Sequence, residues 1–220
     1  MNIYFVRHGD PNYELDCLTE EGCRQAEKLA ERVKNYKLDE VYYSPQGRAK
    51  QTGDYCMKYF DLKPVVKDWM RELEWGDLTG NAYSTASPWA LTDEWLKTEH
   101  AYPAGDSWKK DERIINDRII DDVETRIKEF DKFMAEQGLI RNGQGYEVTK
   151  KAEDKTIAIF CHGGLSSALV AHLLNIPFWT FVAQFSVALT EITLITIDES
   201  VPYSVARAEF INSYQHLKDC

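Results

Sequence analysis

The sequence predicts an α/β protein: a mostly parallel sheet with helices on both faces, three layers deep (α/β/α), carrying an inserted aromatic-rich cap. Three observations predict it. Short apolar runs of strand-forming residues alternate with amphipathic helical stretches, the pattern of strands joined by helical crossovers. Two of those runs end on the same pair of residues, His8-Gly9 and His162-Gly163. Between 83 and 108 the periodicity breaks, and Trp89, Trp95, Tyr102 and Trp108 accumulate.

The elements follow in order. Residues 2–6 (NIYFV) are a buried strand that runs into the Arg7-His8-Gly9 turn. Thr19 is an N-cap followed by Glu20 and Glu21 in the first turn, and Ala26, Leu29, Ala30 and Val33 give that helix one apolar face. Residues 38–43 (LDEVYY) form the second strand, stopped by Ser44-Pro45, and Gly47-Arg48-Ala49 opens a helix to about residue 60. A short strand covers 64–67.

The cap spans 83–108, with one short helix near 88–97. Ile114, Ile115, Ile119, Val123, Ile127, Phe130 and Phe133 recur at helical spacing and predict one long helix over 111–137. Residues 138–154 are polar and contain glycine, so we expect a surface loop. Residues 156–160 (TIAIF) are another buried strand, 165–174 a helix stopped by Pro177, 187–197 a strand and 203–210 an edge strand. A length of 220 residues suits a single domain over 1–220 with an inserted cap.

Composition narrows the function. With 36 acidic against 26 basic residues the net charge is −10, which repels nucleic acid and anionic membranes. An anionic ligand must then be held by a local basic pocket, which favours a small substrate. The first residues read as a strand and not as a signal peptide, and no run approaches the roughly 18 apolar residues of a membrane span. Five cysteines, odd in number and without a CxxC pair, fit a reduced, cytoplasmic setting in which they simply pack.

In parallel sheets ligands bind beyond the carboxyl ends of the strands. His8 and His162 both fall there. A neutral imidazole can attack phosphorus when its other nitrogen is fixed by a hydrogen bond. Arg7 offers a planar fork for phosphate oxygens, and Arg48 stands near a helix N-terminus, where phosphate is favoured. A lone His-Gly is a weak signal, and Arg48 alone reads as a solvated helix charge. The four together suggest a phosphoryl site. His100 and His172 read as ordinary surface or helix residues.

Five segments then arrive in a telling order: Arg7-His8-Gly9, Leu18-Thr19-Glu20-Glu21-Gly22, Ser44-Pro45-Gln46-Gly47-Arg48-Ala49-Lys50-Gln51-Thr52, Arg71-Glu72-Leu73-Glu74-Trp75-Gly76-Asp77-Leu78-Thr79-Gly80 and His162-Gly163-Gly164. Together they resemble the histidine phosphatase superfamily, the phosphoglycerate mutase-like phosphatases. The resemblance implies that fold. It implies His8 as nucleophile, Arg7 and Arg48 as the phosphate clamp, His162 as the second histidine on the phosphoryl oxygens with Gly163 beside it, and Glu72 as the acid that protonates the leaving oxygen. It implies no cofactor and no metal.

Glu74 competes for the acid role, since residues two apart in an extended segment face the same side; Asp77 and Asp10 stand behind both. The segment after Gly9 departs from the family pattern, which leaves Asn12 as the candidate phosphate-binding amide and Glu14 pointing away. Gly105-Asp106-Ser107 resembles a structural segment of the family. The expected activity is hydrolysis of a small phosphomonoester through phosphohistidine. The alternatives are phosphoglycerate mutase-type transfer and a non-catalytic phospho-ligand binder, which would need the arginines but neither nucleophile nor acid.

Overall fold

The computed structural model describes residues 1–150 and 155–218. In chain order the elements are β1 (Asn2–Arg7), β2 (Pro11–Asn12), β3 (Cys17–Leu18), α1 (Glu20–Val33), β4 (Glu40–Tyr43), α2 (Gly47–Met57), β5 (Val65–Val66), α3 (Pro88–Glu99), α4 (Ile119–Glu136), β6 (Leu139–Asn142), β7 (Gly145–Val148), β8 (Thr156–Cys161), α5 (Gly163–Leu174), α6 (Phe178–Gln184), β9 (Ile192–Thr196), β10 (Tyr203–Ser204) and β11 (Arg207–Ser213).

The central sheet has the order β11-β9-β1-β8-β4-β5. β1, β8, β4 and β5 pair in parallel, and β9 joins antiparallel to β1 and to β11. Side-chain alternation along the strands builds the three layers. Ile3, Phe5, Ile157 and Ile159 pack with Phe130 and Phe133 of α4 and Leu165 and Leu169 of α5. On the opposite face Val6, Val41, Ala158 and Phe160 pack with Leu29 and Val33 of α1 and Cys56 of α2. Thr19 caps α1 as expected, its Oγ1 accepting the Gly22 N–H at 3.0 Å.

Four expectations are corrected. The helix over 111–137 begins only at Ile119. Asp117 Oδ1 accepts the N–H groups of Ile119 and Gly76, both at 2.9 Å, and this side chain competes with helical backbone pairing ahead of it. The loop expected over 138–154 contains the β6–β7 hairpin, tied by a two-residue turn at Gly143-Gln144 in which Gly143 takes φ 57°. Leu139 and Tyr146 are buried in the main core, which anchors the hairpin despite its polar sequence. Residues 151–154 lie outside the described residues. The edge strand expected over 203–210 is two strands: β10 pairs with β7, and β11 with β9. The strand expected over 187–197 shortens to β9, because 187–191 form the turn that meets Arg7 and His8.

The aromatic segment makes a satellite core. Trp95 and Trp108 are fully buried against Trp179, with ring centroids at 5.0 and 5.1 Å, in a cluster that includes Phe178, Val123 and Leu73. Tyr83 keeps 48% of its surface exposed, and Trp89 is half-buried. Among the described residues no single helix is long and apolar enough to cross a membrane.

Candidate active site

Three parallel strands deliver the site. His8 follows β1, His162 follows β8 and Ser44 follows β4, so all three emerge at one edge of the sheet. The strand ends are tied together: His8 N–H donates to Cys161 O at 3.1 Å, and Ser44 N–H to Phe160 O at 3.0 Å. The two imidazole rings lie 5.2 Å apart. Both are buried.

His8 Nδ1 is 2.7 Å from Gly9 O, a contact that only an Nδ1–H can make, so Nε2 carries the lone pair. Burial, opposed by that carbonyl and reinforced by the Arg7 and Arg48 charges, pushes the His8 pKa down to about 3. The ring is therefore neutral across the physiological range. Burial, with the charges of His8, Arg48 and Arg7, also holds His162 well below the ordinary histidine value. His162 Nε2 meets Ser44 Oγ at 2.7 Å.

Arg48 is buried at the start of α2. Its Nε donates to His8 Nε2 at 3.3 Å, and its Nη1 pairs with Asp16 Oδ1 at 2.6 Å. Asp16 Oδ2 also accepts the Gly47 N–H at 2.6 Å. A Cβ on Gly47 would stand 2.1 Å from Asp16 O, so only glycine allows this approach. Asp16 itself takes φ 46°, a conformation aspartate tolerates better than most. Arg7 hydrogen-bonds Val187 O through Nη1. Arg7 Nε and His162 Nδ1 are buried without a hydrogen-bond partner. Buried polar atoms in that condition beside a neutral histidine are what an anion-binding site presents before its ligand arrives.

Glu72 lies at the N-terminus of α5. Oε1 accepts the N–H groups of Leu73 at 2.8 Å and Leu165 at 2.9 Å, and Oε2 accepts Gly164 N–H at 3.2 Å. With two lone pairs on each oxygen, Oε1 is filled and Oε2 keeps one position that can hold a proton. The Gly163-Gly164 pair separates the two functional groups: added Cβ atoms would stand 3.2 Å from Arg7 Nε and 2.7 Å from Glu72 Oε1.

The other sequence candidates lie elsewhere. Glu74 turns to Arg118, 3.6 Å away, whereas Glu72 accepts the N–H groups at the head of α5. Asp10 accepts the Thr19 hydroxyl at 2.6 Å, and Asp77 holds Thr79. Asn12 Oδ1 accepts Leu15 N–H at 3.1 Å and so shapes the loop that brings Asp16 to Arg48. Glu14 is exposed. Sequence reasoning missed Asp16, Ser44's bond to His162, and Tyr83. The Tyr83 hydroxyl is pushed up to about 12, first by burial and then by the negative charges of Glu72 and Glu74.

Residues 3–209 match the family described as the histidine phosphatase superfamily, branch 1. Among curated proteins, one named a probable phosphatase, from Schizosaccharomyces pombe, is 24% identical over 213 residues, covering 87% of this chain and 86% of its own. Among solved structures, the phosphoserine phosphatase of Entamoeba histolytica in complex with phosphoserine superposes with a TM-score of 0.64 at 20% identity, over 98% of both chains. A mycobacterial glucosyl-3-phosphoglycerate phosphatase gives 0.64 at 19%, over 96% of this chain and 99% of its own. At these identities the structures establish a shared fold.

Proposed function

The chain belongs to the histidine phosphatase superfamily, branch 1, and on that premise we propose that it hydrolyses a small phosphomonoester, without a metal, through a phosphohistidine on His8. The observation that carries the reading is the neutral, buried His8, whose Nδ1–H is fixed on Gly9 O and whose Nε2 faces the Arg48 guanidinium.

The Nε2 lone pair attacks phosphorus, and the P–O bond to the alcohol breaks with its electron pair on that oxygen. A proton that the substrate monoanion brings to Glu72 Oε2 passes to the same oxygen, releasing a neutral alcohol. Arg7, Arg48 and His162 stabilise the charge spread over the equatorial oxygens. Water then attacks phosphorus and gives a proton back to Glu72. The P–N bond breaks, its electrons return to Nε2, and inorganic phosphate leaves.

The test is turnover of 4-nitrophenyl phosphate in excess chelator, wild type beside His8→Ala, with an alkaline denaturant quench and a search for an alkali-stable, acid-labile phosphoprotein. Chelator-resistant activity and the adduct should both vanish in the variant. Phosphate binding without turnover in either protein would sink the catalytic reading in favour of a binder.

A further inference from the structure

Beside the phosphoryl site lies a cleft of about 390 Å³ lined by Arg7, Trp89, Val182, Gln184, Phe185 and Ser186, together with two small neighbours on the same segment. Its volume falls within the roughly 300–1,000 Å³ of small-molecule clefts. Resting on the phosphatase reading, we propose that this cleft receives the alcohol part of the substrate, and that it selects uncharged alcohols with a flat or hydroxylated face over alcohols that carry a second anionic group.

Continuity comes first. Arg7 lines the cleft, and its Nε, buried without a hydrogen-bond partner, belongs to the proposed phosphate clamp, so an ester whose phosphate sits on His8 has the cleft as its neighbouring space. An aromatic wall joins the cleft to the acid. Trp75 stands three residues after Glu72, its ring 4.7 Å from Tyr83 and 6.4 Å from Trp89.

Chemistry comes second. The walls offer the Trp89 and Phe185 rings, the latter stacked on Phe181 at 4.6 Å, with the hydroxyl of Ser186 and an amide at Gln184. Rings favour a flat apolar face, and neutral polar groups favour hydroxyls. Among the described residues that line it only Arg7 is charged, and in the proposed reaction the phosphate itself engages it. A carboxylate on the alcohol would be desolvated there without a counter-charge, inside a chain of net charge −10.

A matched series tests this. Glycerol 3-phosphate and 3-phosphoglycerate differ by a hydroxymethyl against a carboxylate, and 2-phenylethyl phosphate adds a ring; all three release a primary alcohol whose oxygen needs the same proton. We expect kcat/KM to fall in the order 2-phenylethyl phosphate, glycerol 3-phosphate, 3-phosphoglycerate, spanning about tenfold or more. Ser186→Lys, at an exposed position, supplies the missing cation and should raise 3-phosphoglycerate relative to glycerol 3-phosphate by several-fold. Equal or better turnover of 3-phosphoglycerate by the wild type, or a ratio unmoved by S186K, overturns the inference. Acetyl phosphate separates the two readings, since its leaving group needs neither the cleft nor a proton. Its turnover with the ester order reversed overturns this inference alone; silence on every substrate overturns the phosphatase reading and this inference with it.

Discussion

Asp16 Oδ1 lies 2.6 Å from Arg48 Nη1, so a carboxylate of the protein holds the same guanidinium that is proposed to hold phosphate. The pair fixes the fork, yet its negative charge stands close to where a dianion would bind. Asp16→Asn keeps one acceptor and removes the charge. We expect inorganic phosphate to inhibit it several-fold more tightly, and kcat to fall about tenfold as Arg48 loses its fixed geometry. Product-inhibition kinetics decide; an unchanged phosphate Ki would refute the electrostatic half of the argument.

Glu72 and Glu74 can be separated by substitution. Glu72→Gln should lower kcat about 10²-fold or more on alkyl phosphates and far less on acetyl phosphate, whose leaving group needs no proton. Glu74→Gln, whose carboxylate pairs with Arg118, should stay within about threefold of wild type on both. Equal losses in the two variants would remove Glu72 from the acid role.

Gly163→Ala places a Cβ 3.2 Å from Arg7 Nε at the first turn of a helix. Alanine suits a helix better than glycine, so stability should change by less than about 1 kcal/mol. The displaced guanidinium should cost roughly tenfold in kcat/KM. Melting temperature and kinetics measured together expose a purely structural effect.

Glu191 is a buried carboxyl next to Arg7's strand, and burial pushes its pKa up to about 7. The unfolded chain loses this proton near 4.5 while the folded chain keeps it, so the group destabilises the fold progressively from about pH 4.5 to 7. Glu191→Gln removes that slope. Its stability relative to wild type should rise by about 1.4 kcal/mol per pH unit across the window and level off above it. Denaturant melts at several pH values check this; a pH-independent difference would contradict it. His8 acts with the opposite sign, its stabilisation being full above about 6.5 and lost as pH falls toward 3.

Trp95 distinguishes a core from a lid. Fully buried against Trp179, it should cost about 3 to 5 kcal/mol on truncation to alanine. KM should stay within about twofold at temperatures where the variant is folded. A large rise in KM with little loss of stability would instead put Trp95 against the substrate.

What the sequence made legible was whatever one segment encodes by itself. His8 and His162 could be placed because each follows an apolar run whose strand character is local, and Arg48 because a Ser-Pro stop precedes its helix. The candidate acid was legible only as a pair, since an extended reading of residues 72–74 could not foresee Arg118 drawing Glu74 away. Asp16 and Ser44 were hidden because their partners, Arg48 and His162, are 32 and 118 residues distant. The long helix misled because Ile114 and Ile115 keep helical spacing, yet only Ile114 is buried, in the satellite core. The hairpin was missed because its polar face and glycine turn outweighed Leu139 and Tyr146.

The place of β1 in the sheet bears on biosynthesis. Its register partners are Thr156 to Cys161 on one side and Ile192 to Thr196 on the other. The strand that ends at Arg7, just before His8, is therefore synthesised well before either of its neighbours in the sheet. Contacts of such long sequence separation form slowly, and a nascent chain that has not reached β8 (Thr156–Cys161) lacks the strand that carries the second histidine. Such a chain has an apolar strand in want of partners, and it is at that stage that a cell's holdase chaperones would meet it.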